Sequence, residues 1–466
     1  MSLESTHLPV TLDFAIVNSK SPYLIGAASA FSGDRRDAAL PVVETLIRRK
    51  LPSCLIFETL AERTLALAQL ERRKDPEAGF DPWLEDILSP VLEKCLDHGI
   101  KIVSNFGAAN PQAAGRRILS LARRLGVRTP RVAVISGDDL SDEKFLPFFR
   151  EALGNTLDES RMVAANVYLG ADSIADALSE GADIVVTGRV SDSALCVGPL
   201  LAHFGWARDD WKRRGRAVMA GHLLECGVQV TGGYFADPGV KDVPNLFDIG
   251  YPIAEIDSDG NCIITKADGT GGLVDTRVVR EQMLYEIDNP TAYLAPDAIS
   301  DISTCTVEQV GPDCVSVSGV EGRQWPETLK VLVCQDGGWL GEGEISYAGP
   351  RAEARARLAA DIVKHRLGKE LDLRCDLIGV LSIHGDDAGR MLDRTPQGSA
   401  RDVRLRVAAV HQDPKIAELV GREVTALYTC GPAGGGGVRA GLRQRLDTLA
   451  CYIPRSAIAS NHEFIE

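Results

Sequence analysis

From Leu24 to Gly188 the chain repeats one pattern: a short apolar run ends in a polar residue or glycine, and a longer amphipathic stretch follows. The runs are LIGAAS (Leu24 to Ser29), CLIFET (Cys54 to Thr59), KIVSNFG (Lys101 to Gly107), RVAVISG (Arg131 to Gly137), MVAANVYLG (Met162 to Gly170) and DIVVTG (Asp183 to Gly188). Stretches such as LAERTLALAQLERR (Leu60 to Arg73) and NPQAAGRRILSLARRLG (Asn110 to Gly126) read as helices, the second with Pro111 in its first turn. Strands that are almost wholly apolar and separated by helices predict an α/β fold with a mostly parallel sheet covered by helices.

Beyond Tyr251 the punctuation changes to paired strands. AEIDSDGNCIITK (Ala254 to Lys266) carries the turn signal Asp259-Gly260. The strands TLKVLVC (Thr328 to Cys334), EISYAG (Glu344 to Gly349), CDLIGVLSI (Cys375 to Ile383) and DVRLRVAAV (Asp402 to Val410) alternate with helices near Arg351 and Pro414. This predicts an α/β domain over residues 1–300, then a smaller α+β domain over 301–466, with the boundary between Asp297 and Asp313.

An open parallel sheet presents ligands at the carboxyl ends of its strands, where loops and helix N-termini meet. The shortlist there is Gly26 with SGDR (Ser32 to Arg35), Glu58, Thr59, Asn105, Asn110, Asp138, Asp139, Asn166, Arg189, Asp192 and Ser193, and one shared cleft is expected for Glu58, Asn105, Asn110, Arg189 and Asp192. A carboxylate such as Glu58 at the end of an apolar strand is costly unless paired or used, and Arg63 is an available partner. Arg189 and Asp192 offer an anion site and a proton acceptor, or else a structural pair closing a helix N-terminus, with Asp192 or Ser193 as its cap. In AGHLLECGVQVTGG (Ala220 to Gly233), His222, Glu225 and Cys226 share one helix face, a set suited to acid–base work or to a metal, or to a satisfied buried histidine. Gly271 and Gly272 lie in DGTGGLVD (Asp268 to Asp275), where backbone amides could cradle an anion or simply turn the chain.

Composition narrows the function. A formal charge of −14 repels polyphosphate and excludes general nucleic-acid affinity. The basic clusters IRRK (Ile47 to Lys50), LARRLGVRTPR (Leu121 to Arg131) and WKRRGR (Trp211 to Arg216) read as solvated helix ends. No apolar run is long enough for a membrane span and the N-terminus lacks an export signal, so a cytoplasmic protein is expected. Eleven cysteines without a CxxC pair read as reduced thiols, and no covalent role is expected for Cys226 or Cys430. With no GxGxxG after a strand and no P-loop, nucleotide binding has little support, which disfavours an NAD(P) dehydrogenase.

Several long stretches resemble the acyclic terpene utilization AtuA family. They include FETLAERTLALAQ (Phe57 to Gln69), SNFGAANP (Ser104 to Pro111), DIVVTGRVSDSAL (Asp183 to Leu195), AGHLLECGVQVTGGYFADPGVKDVP (Ala220 to Pro244), ITKADGTGGLVD (Ile264 to Asp275), QMLYEIDNPTAYLAPD (Gln282 to Asp297) and GEGEISYAG (Gly341 to Gly349). The resemblance implies catabolism of citronellol- and geraniol-type compounds or related branched acids, and it carries no catalytic residues with it. It also implies that many relatives are fused to a ferredoxin-like C-terminal module, so a separate small ferredoxin-like subunit or a homo-oligomer is an expected partner. The apolar tail CYIPRSAIASNHEFIE (Cys451 to Glu466) is the expected docking surface.

The expected activity is that of a hydratase or carbon–carbon lyase acting on a branched acyl-CoA or hydroxy acid, by proton abstraction next to a carbonyl. Glu58 or Asp192 is the expected base and His222 the acid, with Arg189 and the amides of Gly271 and Gly272 at the anion and Asn105, Asn110 and Ser193 around the substrate. No cofactor is expected beyond a coenzyme A thioester as substrate, with a divalent metal left open. The alternative is a non-catalytic subunit that binds acyl-CoA or scaffolds a complex.

Overall fold

In a computed structural model, which describes residues 21–385 and 389–465, the apolar runs form strands where the sequence marks them. The N-terminal segment inspected for export signals lies outside the described residues. Up to residue 190 the strands are β1 (Tyr23–Ala27), β2 (Ser53–Phe57), β3 (Lys101–Ser104), β4 (Val132–Ser136), β5 (Met162–Val167) and β6 (Ile184–Val186). Next come β7 (Pro252–Ile256), β8 (Cys262–Lys266), β9 (Tyr293–Leu294), β10 (Ile299–Asp301), β11 (Thr306–Gly311), β12 (Cys314–Ser318) and β13 (Glu321–Arg323). The remainder are β14 (Thr328–Ala348), β15 (Arg374–Ile378), β16 (Asp402–His411), β17 (Gly436–Pro454) and β18 (Asn461–Ile465).

The large sheet has ten strands in the order β11-β12-β8-β7-β1-β2-β3-β6-β4-β18. Its centre, β1-β2-β3-β6-β4, is parallel as expected, because helices connect these strands. Both margins are antiparallel, so the sheet is mixed around this parallel centre. The β7–β8 hairpin adds to β1, and β11 and β12, which lie beyond residue 300, continue the same sheet. MVAANVYLG departs from its expected place: β5 stays out of the large sheet and pairs β14. An apolar run specifies burial, and β5 satisfies that beside another strand.

Side chains alternate across the central strands. Leu24, Leu55, Phe57, Ile102, Val132 and Ile184 pack with the helices Ala39–Arg49, Leu92–His98 and Pro111–Leu125, while the helix Ala194–Phe204 covers the other face. Of the basic clusters, Arg48 and Arg49 occupy the last turn of their helix, as expected. WKRRGR instead opens the helix Trp211–Glu225, and its Arg214 is buried, paired with Asp172 and with Asp297 at 3.5 Å.

The tail folds back as β18, antiparallel to β4 from Asn461↔Ser136 to Ile465↔Val132. The Phe464 ring takes the Arg131 guanidinium 4.5 Å from its centroid, and Ile465 packs on the core. Deleting residues 461–466 should therefore destabilise the sheet by about 2–4 kcal/mol, the cost of uncovering apolar side chains and one β4 edge. Thermal unfolding checks this; an unchanged melting temperature combined with an altered oligomer would restore the docking role.

Contacts divide the chain into two compact units. Of the described residues, one comprises 21–157, Ala164–Val333 and 450–465; the other comprises Asp158–Val163 and those within 334–449. The smaller unit holds the sheet β15-β16-β14-β17 with the helices Ala352–Leu367 and Pro414–Cys430, an α+β arrangement. Ile345, Tyr347, Leu405 and Val407 face those helices, whereas Glu342 and Glu344 on alternate positions pair with Arg406 and Arg404. The segment from Asp297 to Asp313, where a division is expected, lies in the larger unit and carries β10 and β11.

Candidate acid–base site

Everything in the site belongs to the larger unit and starts from adjacent strand ends. After β4, the buried carboxylate of Asp138 accepts from the Arg189 N–H at 2.8 Å and from Asn166 Nδ2 at 3.0 Å. Gly188 permits this approach, since a Cβ there would stand 2.5 Å from Asp138 Oδ2. The strand β6 is thus turned outward at its end by a carboxylate from its neighbour.

Arg189 leaves that turn and runs inward. It is among the most deeply buried side chains, and each of its nitrogens donates to a near partner: Nε to Val190 O at 2.8 Å, Nη1 to Leu60 O, and Nη2 to Asp192 Oδ1. The Tyr168 ring lies beside it, with the guanidinium carbon 4.5 Å from the centroid. Arg189, expected at an anion, is fully buried among these partners. Its guanidinium orients Asp192 and holds the loop after β2.

Glu58 closes the same group from behind. Its Oε1 accepts from Leu60 N at 2.8 Å and its Oε2 from Asn105 Nδ2 at 2.5 Å, while Asn105 Oδ1 takes Thr59 N at 2.8 Å. Burial pushes the Glu58 carboxyl well up, and the Asp192 charge adds to this, against the pull of Arg189. Both oxygens are engaged, and Glu58 is buried outside the lining of the cavity described below.

The second half comes from the helix Trp211–Glu225, which crosses the Ser191–Ala194 turn at Gly221. A Cβ at Gly221 would lie 2.8 Å from Ser193 Cα, so only glycine allows this crossing. At the next residue, His222 Nδ1 stands 3.0 Å from Oε1 of Glu225, one turn on, and its Nε2 stands 3.1 Å from the carbonyl of Gln282. A carbonyl only accepts, so Nε2 carries hydrogen, and Nδ1 and Glu225 share one further proton. Burial lifts the Glu225 carboxyl against the pull of His222, while the bond to Glu225 lifts His222 against its own burial.

Asp192 and Glu225 line one cavity of about 210 Å³. Ser191, Tyr168 and Lys330 complete its polar part, and Leu294, Pro296, Pro326 and Leu329 supply apolar wall, with Tyr293 and Tyr452. Asp192 is 37% exposed there and Glu225 11%, whereas His222 stays buried behind Glu225. Burial raises the Asp192 carboxyl, and Arg189 pulls it back toward the ionised form. The cavity thus sees two carboxyl groups, one backed by a guanidinium and one by an imidazole.

Of the residues expected here, Glu58, Asn105, Arg189, Asp192, Ser193 and His222 come together. Ser193 is buried, with its Oγ 3.0 Å from that of Ser191. Asn110 does not join them: it caps the helix Pro111–Leu125 and donates to Pro76 O and Ala78 O at 2.7 and 2.8 Å. Gly271 and Gly272 form no anion cradle either, because their N–H groups donate to Asp248 O and Pro244 O at 2.7 and 2.9 Å. A Cβ on Gly271 would meet Asn245 O at 2.0 Å; these glycines serve close backbone packing. Cys226, next to Glu225, has its thiol pushed up to about 12 by burial, and Cys430 lies exposed in the smaller unit. Among the described residues no group of three or more His, Cys, Asp and Glu side chains could hold a metal ion, and no helix is long and apolar enough to cross a membrane.

Sequence reasoning missed Tyr168, Tyr293 and Lys330. Tyr168 directly follows β5 and was legible as a strand-end residue; Lys330, at an outward position of β14, carried no local signal.

The Asp138 carboxyl provides a pH test. Burial raises it to about 6, against the Arg189 amide, while an unfolded Asp titrates near 4. The folded value is the higher one, so this contribution is complete below about pH 4 and is lost as pH rises through 6. Asp138→Asn keeps an acceptor for both donors and should flatten the stability profile between pH 4 and 7 by about 2 kcal/mol. Urea unfolding at both ends of that range checks it.

Comparison with known proteins agrees with the sequence. No curated protein and no solved structure matches the chain. A family model described as acyclic terpene utilisation family protein AtuA matches residues 23–464, which covers both units and every residue of the cavity. The chain belongs to the AtuA family of acyclic terpene utilisation.

Proposed function

We propose that this protein is a lyase of acyclic terpene or branched-acid catabolism that removes a proton next to a carbonyl, with loss of water or cleavage of a C–C bond. The observation that carries this reading is the pair Asp192 and Glu225 on one cavity, each with a buried basic side chain behind it. Asp192 is the base: Arg189 holds one oxygen and favours the ionised form, leaving the other oxygen for a Cα–H. Glu225 is the acid, since the proton it shares with His222 is held at the cavity wall.

In the dehydrating direction Asp192 takes the Cα proton, the Cβ–O bond breaks, and the departing hydroxyl leaves as water with the proton of Glu225. His222 acts through Glu225, so the role first assigned to its ring passes to the carboxyl group it supports. The apolar wall accommodates a branched alkyl chain and excludes water from the developing enolate.

Purified protein incubated with branched hydroxy acids and branched acyl-CoA thioesters tests this reading. Product formation by the native chain, lost in Asp192→Asn, is the expected result. Binding across the panel without turnover would favour the alternative, a non-catalytic acyl-CoA-binding or scaffolding subunit.

A further inference from the structure

We infer that the cavity takes its substrate as a free carboxylate anchored by Lys330, rather than as a coenzyme A thioester. This rests on the acid–base reading above and narrows its substrate class. Among the described residues, Lys330 is the one basic side chain that lines the cavity. Its Nζ lies 4.7 Å from the Tyr168 ring centroid and 3.4 Å from Glu62 Oε1, an oxygen that also accepts from the Tyr168 hydroxyl at 2.9 Å. The ammonium is held in place from one side while a three-donor group keeps capacity for a ligand.

The other candidate cation is unavailable. Arg189 is fully buried and does not line the cavity, so among the lining side chains a negative group has Lys330 to meet. One cation suits one carboxylate. A coenzyme A thioester carries no charge at its carbonyl and several on distant phosphates, for which this lining supplies no second basic residue.

Size points the same way. About 210 Å³ is below the roughly 300–1,000 Å³ of sites for drug-sized ligands, so the cavity encloses a short branched acid and could enclose only the acyl end of a thioester. The chemistry gains from the anchor as well. Removing a proton next to a carboxylate places a second negative charge on it, and an ammonium at that position stabilises this charge as it develops.

Calorimetric titration with 3-hydroxy-3-methylbutanoate, its methyl ester and its coenzyme A thioester tests the inference in the native chain, Lys330→Met and Lys330→Arg. The acid should bind the native chain and lose about 10- to 100-fold in Lys330→Met, the range for a hydrogen-bonded charge pair. Lys330→Arg should recover most of that loss, and the ester should bind the native chain and Lys330→Met alike. Lys330 is 39% exposed, so matched melting temperatures should establish that the variants fold. Absence of acid binding, indifference of the acid to Lys330→Met, or a thioester bound as tightly as the acid would each overturn the inference. Turnover separates it from the reading beneath. Thioester converted in an Asp192-dependent way while the acid is ignored would remove the carboxylate anchor and leave the lyase. Acid bound through Lys330 and converted by no route would do the reverse.

Discussion

Replacing Glu225 by Gln or Asp192 by Asn should lower turnover of a substrate that fits the cavity by about 100- to 10,000-fold, the usual contribution of a positioned acid or base. The two losses should differ in character. Gln at position 225 cannot share a proton with His222, so the variant loses the limb of the pH–rate profile that reports the acid and keeps the limb of Asp192. Asn at position 192 keeps an oxygen for Arg189 Nη2, so folding survives while the base is gone. Cys226→Ser, one residue from Glu225, should leave turnover unchanged, because its buried thiol is a poor nucleophile. Steady-state rates across pH 5–9 distinguish these three outcomes.

Replacing Arg189 by Ala should cost about 3–5 kcal/mol of stability, the expected penalty for removing one member of a buried ion pair. The guanidinium answers Asp192, Leu60 O and Val190 O together, and its loss leaves two main-chain acceptors and a carboxylate without their donor. Glu58 would then sit buried beside Asp192 with no cation between them. Arg189→Lys should recover only part of the loss, since one ammonium cannot reach three acceptors that a planar fork spans. Urea denaturation reads both variants, and an Ala variant as stable as the native chain would return Arg189 to a ligand-binding role.

The parallel centre of the large sheet was legible because β1, β2, β3, β4 and β6 are apolar runs separated by helices, a pattern with few solutions. The margins were less so. β5 reads like its neighbours yet pairs elsewhere, and β18 reads like an interaction tail yet completes an edge, because local sequence encodes burial and alternation but not the identity of a partner strand. The strand-end rule located Asp192, Arg189, Glu58 and Asn105, which do come together. It could not separate groups that face the cavity from groups that hold them. That distinction depends on which donors Arg189 has left and on how close the helix bearing Glu225 passes at Gly221. Lys330 and Tyr293 lie far along the chain from the strand ends, on β14 and β9, so no spacing rule joins them to the site.

Solvent-deuterium exchange reads whether Asp192 removes a proton next to a carbonyl, as proposed, while Glu225 holds another ready. Purified protein is incubated in D2O with 3-hydroxy-3-methylbutanoate and with its coenzyme A thioester, and the Cα–H signals are followed by proton NMR. One of the two compounds should lose its Cα–H signal with the native chain, and Asp192→Asn should suppress this loss. Retention of the signal in both compounds by a chain that binds them, or exchange that persists undiminished in Asp192→Asn, would contradict it.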